Sequence, residues 1–149
     1  MPDKAKELGI PVQGWSILQK GENYEVDGQV YTPDMVLGPR RKGIKLVYCT
    51  DTRPTNGIIE HAELADLLIC EGMYGEKDKI SKARENKHMT FYEAAEIAKK
   101  AEVKELWLTH YSPSLSYPEE YKQEVRKIFA NTKVPRDRRT TILEFNKDE

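Results

Sequence analysis

Three short polar stretches, each following a strand-like apolar run, hold residue types that can bind a metal or handle a proton. They are Cys49-Thr50-Asp51-Thr52-Arg53-Pro54 after Leu46 to Cys49, Cys70-Glu71-Gly72-Met73-Tyr74 after Leu67 to Cys70, and Leu108-Thr109-His110-Tyr111-Ser112-Pro113 after Leu106 to Thr109. In layered α/β folds the carboxyl ends of neighbouring strands open on one crevice, so Asp51, Glu71 and His110 can face one another there. Carboxylate and imidazole are ordinary ligands of Zn2+ or Mn2+, and the two oxygens of an aspartate allow it to bridge two ions. The same residues also read as a turn before Pro54 and as satisfied polar groups at strand ends. Cys70 has no Cys-x-x-Cys partner and lies in an apolar run, which reads as a buried thiol rather than a soft ligand.

The elements that must position these residues change character once along the chain. Up to about Lys45 there is no helical period, and glycines and prolines divide the segment into hairpins and loops, with Asp27-Gly28 at the turn of a hairpin over Tyr24 to Val30. From residue 46 to 149 strand-like and helix-like stretches alternate. Leu46 to Cys49, Leu67 to Cys70, Leu106 to Thr109 and Thr140 to Phe145 read as strands, and Ile58 to Leu64, Phe91 to Ala101 and Tyr117 to Ala130 as helices. Thr90 precedes Glu93 and Ser116 precedes Glu119 by the spacing of a capping box, so a helix is expected to begin at each. Glu76 to Lys87 is the most charged stretch and reads as a solvated loop or frayed helix. The whole is an α/β layered architecture, one domain or part of one.

Composition excludes several classes. The 149 residues carry 24 Lys and Arg against 25 Asp and Glu, a formal charge of −1, so phosphate binding has to come from local clusters rather than from the field of the whole protein. Two such clusters occur, Arg40-Arg41-Lys42 with Lys45, and Arg136, Arg138 and Arg139; the first is the preferred RNA contact. No apolar run approaches the roughly 20 residues of a bilayer span, the N-terminus has no signal-peptide core, and the two cysteines fit free thiols in a reducing compartment. A protein without membrane contact, in the cytoplasm, is expected.

Read together, several ordered motifs resemble the C-terminal half of ribonuclease Z, the metallo-β-lactamase-fold endoribonuclease that removes the 3′ trailer of precursor tRNA. They are Val47 to Pro54 with its Asp-Thr-Arg-Pro, Ala65 to Gly72, Lys87-His88-Met89-Thr90 with Glu93-Ala94-Ala95, and Leu108 to Pro113. Gly9-Ile10-Pro11, Trp15 to Gly21 and Leu37-Gly38-Pro39 also look like the segment preceding those motifs, so the similarity covers nearly the whole chain. The resemblance implies that Asp51 is the metal-bridging aspartate, that His110 is the last metal-ligating histidine, and that Glu71 orients a catalytic His88 near the scissile phosphate. Here Cys70 and Gly72-Met73 replace the neighbours of the family's His-Glu-Ala-Thr, and the His-Ser-Thr-type motif is His-Met-Thr.

The family's His-x-His-x-Asp-His signature is absent, since the histidines are His61, His88 and His110, and His61 falls on a helix as a surface residue. The resemblance implies two zinc ions in the complete enzyme and an incomplete site in this chain, expected to be inactive alone. Half of such a fold would leave one sheet face bare, including Leu46, Tyr48, Leu68 and Leu106, so the chain is expected to form a homodimer or pair with an N-terminal half. Two alternatives are another metallo-β-lactamase-fold phosphodiesterase and a non-catalytic module that binds RNA or a partner.

Overall fold

The computed structural model describes residues 2–38 and 43–145. The chain forms two compact units, Met1–Lys42 and Gly43–Glu149. In the first, α1 (Pro2–Glu7) and α2 (Val12–Gln19) precede an antiparallel hairpin of β1 (Tyr24–Val26) and β2 (Gln29–Tyr31), followed by α3 (Pro33–Val36). The hairpin turns at Asp27 (φ 51°) and Gly28 (φ 77°), the two left-handed residues that a type I′ turn requires. The expectation of only hairpins and loops over 1–45 is corrected by the three helices. Helices of 6, 8 and 4 residues are too short to display a period, and a small core of Ala5, Ile10, Leu18, Tyr31 and Val36 holds them instead.

The second unit is built on a four-stranded, all-parallel sheet in the order β3 (Leu46–Cys49), β4 (Leu67–Glu71), β5 (Leu106–Thr109) and β6 (Thr132–Lys133). Its crossovers carry α4 (Asn56–Ala62), α5 (Ile80–Glu85), α6 (Phe91–Lys100) and α7 (Lys122–Arg126). In-register partners of a parallel pair project to the same side, so Val47, Leu68 and Leu106 share one face and Cys49, Cys70 and Leu108 continue it. That face packs on Ala94, Ala95, Ile97 and Ala98 of α6 and on Ala62 of α4. Leu46 and Tyr48 lie on the opposite face, 54% and 67% exposed. The expected bare face therefore has to be corrected: Leu68 and Leu106 belong to the covered side, because side chains alternate along each strand.

Three further expectations change. Thr140 to Phe145 forms no strand, and Ile142 and Phe145 are exposed; strand propensity is realised only against a neighbouring edge, and here the short Thr132–Lys133 takes the place beside β5. Tyr117 to Ala130 divides into a 3-10 turn at Pro118–Tyr121 and the short α7. Ser116 does not cap it, because Glu119 is used in an ion pair with Arg136 at 2.6 Å instead of reaching back to the backbone. Thr90 and Glu93 do form the expected capping box at the start of α6. Glu76 to Lys87 holds a 3-10 turn and α5, with Ala83 buried. None of the described helices is long and apolar enough to cross a membrane.

Candidate metal centre

The polar residues of interest sit at the carboxyl ends of β3, β4 and β5, as the parallel register dictates. Asp51 (φ 52°) and His110 (φ 58°) both adopt left-handed backbone just past their strands. Each such non-glycine residue costs roughly 1–3 kcal/mol, a strain that persists where surrounding contacts over-determine it. The turns bring His110 Nε2 to 3.2 Å from Asp51 Oδ1. Lys87 (φ 60°) makes a third left-handed turn directly before His88, whose ring lies 5.2 Å from that of His110. One potential ligand atom from each of Asp51, His88 and His110 falls within 4.8 Å of the other two.

Behind this cluster Glu71 is wholly buried. Its oxygens accept hydrogen bonds from Thr52 N–H at 2.5 Å, Met89 N–H at 3.1 Å and His88 Nδ1 at 3.2 Å. A carboxylate only accepts, so Nδ1 carries a proton and Nε2 is the ring nitrogen not engaged by Glu71. Arg53 joins the same assembly, donating to the His88 carbonyl at 2.5 Å and making a two-pronged ion pair with Glu93. Glu93 in turn accepts from Thr90 N–H at 2.9 Å. Burial raises the Glu93 carboxyl pKa, but the Arg53 and Thr90 hydrogen bonds and the Arg53 charge outweigh it and hold the group below its ordinary 4.5.

The structure thus brings Asp51, Glu71, His88 and His110 together. Asp51 and His110 offer a carboxylate and an imidazole, ordinary donors to a divalent metal ion, and His88, backed by the buried Glu71, lies beside them. Cys70 stays out: it is buried, its sulfur lies 3.7 Å from Met89 Sδ, and the Cys49 side chain and burial together push its pKa far up. His61 is exposed, its Nδ1 2.7 Å from the Gly57 carbonyl within α4.

Arg40, Arg41 and Lys42 lie outside the described residues. The second basic cluster adjoins the site. A groove of about 730 Å³ runs from His110 and Tyr111 over Ile69 and Trp107 to Arg138 and Arg139. Arg136 is tied to Glu119, whereas Arg138 and Arg139 have no ion-pair partner among the described residues. Sequence reasoning missed Arg53 and Glu93 as parts of the site. The signal was present, since Glu93 belongs to the Thr90 cap and Arg53 follows Asp51 by two, but the pairing spans 40 residues.

The beta-lactamase superfamily domain matches residues 10–111, and the chain belongs to this family, with its parallel sheet and flanking helices part of a metallo-β-lactamase fold. It is 62% identical over 149 residues to the ribonuclease Z of Lachnoclostridium phytofermentans, covering 100% of this chain and 49% of that protein. It is 58% identical over 146 residues to the ribonuclease Z of Agathobacter rectalis, covering 98% and 48%. The chain spans about half the length of the curated relatives it matches. Among solved structures, the metallo-beta-lactamase fold protein YhfI from Bacillus subtilis aligns with a TM-score of 0.49 at 33% identity, over 58% of this chain and 34% of that one.

The depressed Glu93 pKa sets an acid dependence. A group whose folded pKa lies below its unfolded value stabilises the fold fully above the unfolded value and loses that contribution as pH falls through the folded one. Melting temperatures of the chain should therefore fall as pH drops below the ordinary Glu93 value of 4.5. Glu93→Gln should flatten this dependence; an unchanged acid limb in the variant would contradict the assignment.

Proposed function

We propose that the chain is the C-terminal half of a zinc-dependent ribonuclease Z, which removes the 3′ trailer of precursor tRNA in the cytoplasm, and that it needs an N-terminal half to act. The observation that carries this reading is the convergence of Asp51, His88 and His110, with Glu71 fixing the His88 ring. Asp51 and His110 are the metal ligands, and His88 holds a proton near the leaving oxygen of the cleaved phosphodiester. Bound divalent ions would supply an activated water and neutralise phosphate charge. A catalytic zinc keeps about three protein ligands, so this chain's donors fall short of a two-ion site. The Arg138 and Arg139 edge of the groove gives RNA phosphates a cationic path leading to His110.

In the joined enzyme, His88→Ala should lower precursor-tRNA turnover by about 10²–10⁴-fold, the usual contribution of a positioned acid, with zinc content unchanged. Asp51→Ala should lose both. Full cleavage by His88→Ala, in metal analysis and cleavage assays on the same preparation, would leave His88 as a loop histidine and defeat the assignment. The exposed Leu46 and Tyr48 face calls for a cover, supplied by the N-terminal half or, in its absence, by a second copy of the chain. Light scattering on the purified chain at micromolar concentration should give at least a dimer, and a stable monomer would overturn that part of the reading.

A further inference from the structure

We propose that Arg53 is a positioning residue for His88, acting through a clamp with Glu93 that locks the Asp51 loop to the His88 loop. The two loops are far apart in sequence and meet at few polar contacts. His88 is held at both ends: Glu71 takes its ring Nδ1, and Arg53 Nη1 takes its backbone carbonyl at 2.5 Å. Both holds trace back to the Asp51 loop, because Thr52 N–H donates to Glu71 and Arg53 directly follows Thr52.

Glu93 keeps the arginine in place. Its Oε2 accepts from Arg53 Nη1 at 3.0 Å and from Thr90 N–H at 2.9 Å, and its Oε1 takes Nη2. The Glu93 carboxylate therefore serves at once as the capping group of α6 and as the seat of the guanidinium. The pair is well shielded, with 27% and 20% of the Arg53 and Glu93 side chains exposed, so it is screened less than a surface pair. A guanidinium can bind a carboxylate through two nitrogens and a carbonyl with the same fork; a lysine ammonium retains the charge but not that geometry. The clamp fixes where the His88 backbone lies relative to Asp51, and with it the aim of the imidazole.

His88 owes its importance here to the nuclease reading, but the clamp is tested on the imidazole itself, so either can fail without the other. The test is NMR on the full chain with labelled histidine, whose three rings, His61, His88 and His110, give few signals, with the remote His61 as internal control. The expected result for Arg53→Lys is a folded protein whose His88 Nδ1–H proton signal, protected by Glu71, is lost to solvent exchange while His61 is unchanged. Glu93→Gln, which keeps one acceptor for Arg53, should retain a weakened signal and so partly rescue it. A purely structural ion pair would lower the melting temperature of both variants and leave the His88 signal of the folded molecules intact, and that outcome would overturn the proposal. Should Arg53→Lys fail to fold, the Glu93→Gln signal decides alone: full retention overturns the clamp and weakening supports it.

Discussion

The site depends on one buried charge. Glu71 sits at the end of the central strand β4 with no exposed surface, and a carboxylate taken out of water costs several kcal/mol unless hydrogen bonds replace its hydration. Its donors come from two separate loops: Thr52 N–H from the loop after β3, and Met89 N–H with the His88 ring from the loop before α6. Satisfying Glu71 therefore fixes the Asp51 loop and the His88 loop together. Removing one donor of such a group would leave a buried oxygen short of a hydrogen bond, at a cost of about 1–3 kcal/mol. Left-handed backbone at Asp51 and Lys87 lies in the two loops that Glu71 ties together.

The parallel sheet explains why these groups meet at all. Three successive strands run the same way, so Asp51, Glu71 and His110 emerge at the same end of the sheet, whose covered face of Leu68, Cys70, Leu106 and Leu108 packs on α6. The opposite face carries exposed Leu46 and Tyr48. Asp51 and His110 stand at these strand ends with the His88 ring beside them, and the Asp51 side chain is two-thirds exposed. The groove beyond His110 presents Arg138 and Arg139.

Much of this was legible in the residues. The strand β5 and the capping box at Thr90 were plain because each has a local signature, an apolar run and a Thr-x-x-Glu spacing. The proximity of Asp51, Glu71 and His110 was legible because strand ends in an α/β layer converge. What stayed hidden was either too short to carry a pattern or set by distant residues. The four-residue α3 carries too little pattern to read, Thr140 to Phe145 looks like a strand until its missing neighbour is known, and the Glu119 partner Arg136 defeats the Ser116 cap from 17 residues away. Arg53 and Glu93 were invisible as a pair for the same reason, since no spacing rule links residues that only a tertiary fold brings together.

In the proposed function, Asp51 and His110 enter a metal site that another half completes. Anomalous diffraction at the zinc edge, from crystals of the chain joined to an N-terminal half bearing His-x-His-x-Asp-His, reads it directly. Two ions are expected, with Asp51 oxygen and His110 nitrogen each about 2.0–2.2 Å from zinc and His88 held by Glu71 beside them. Zinc bound only by the N-terminal half, with Asp51 and His110 outside ligand distance, would contradict it.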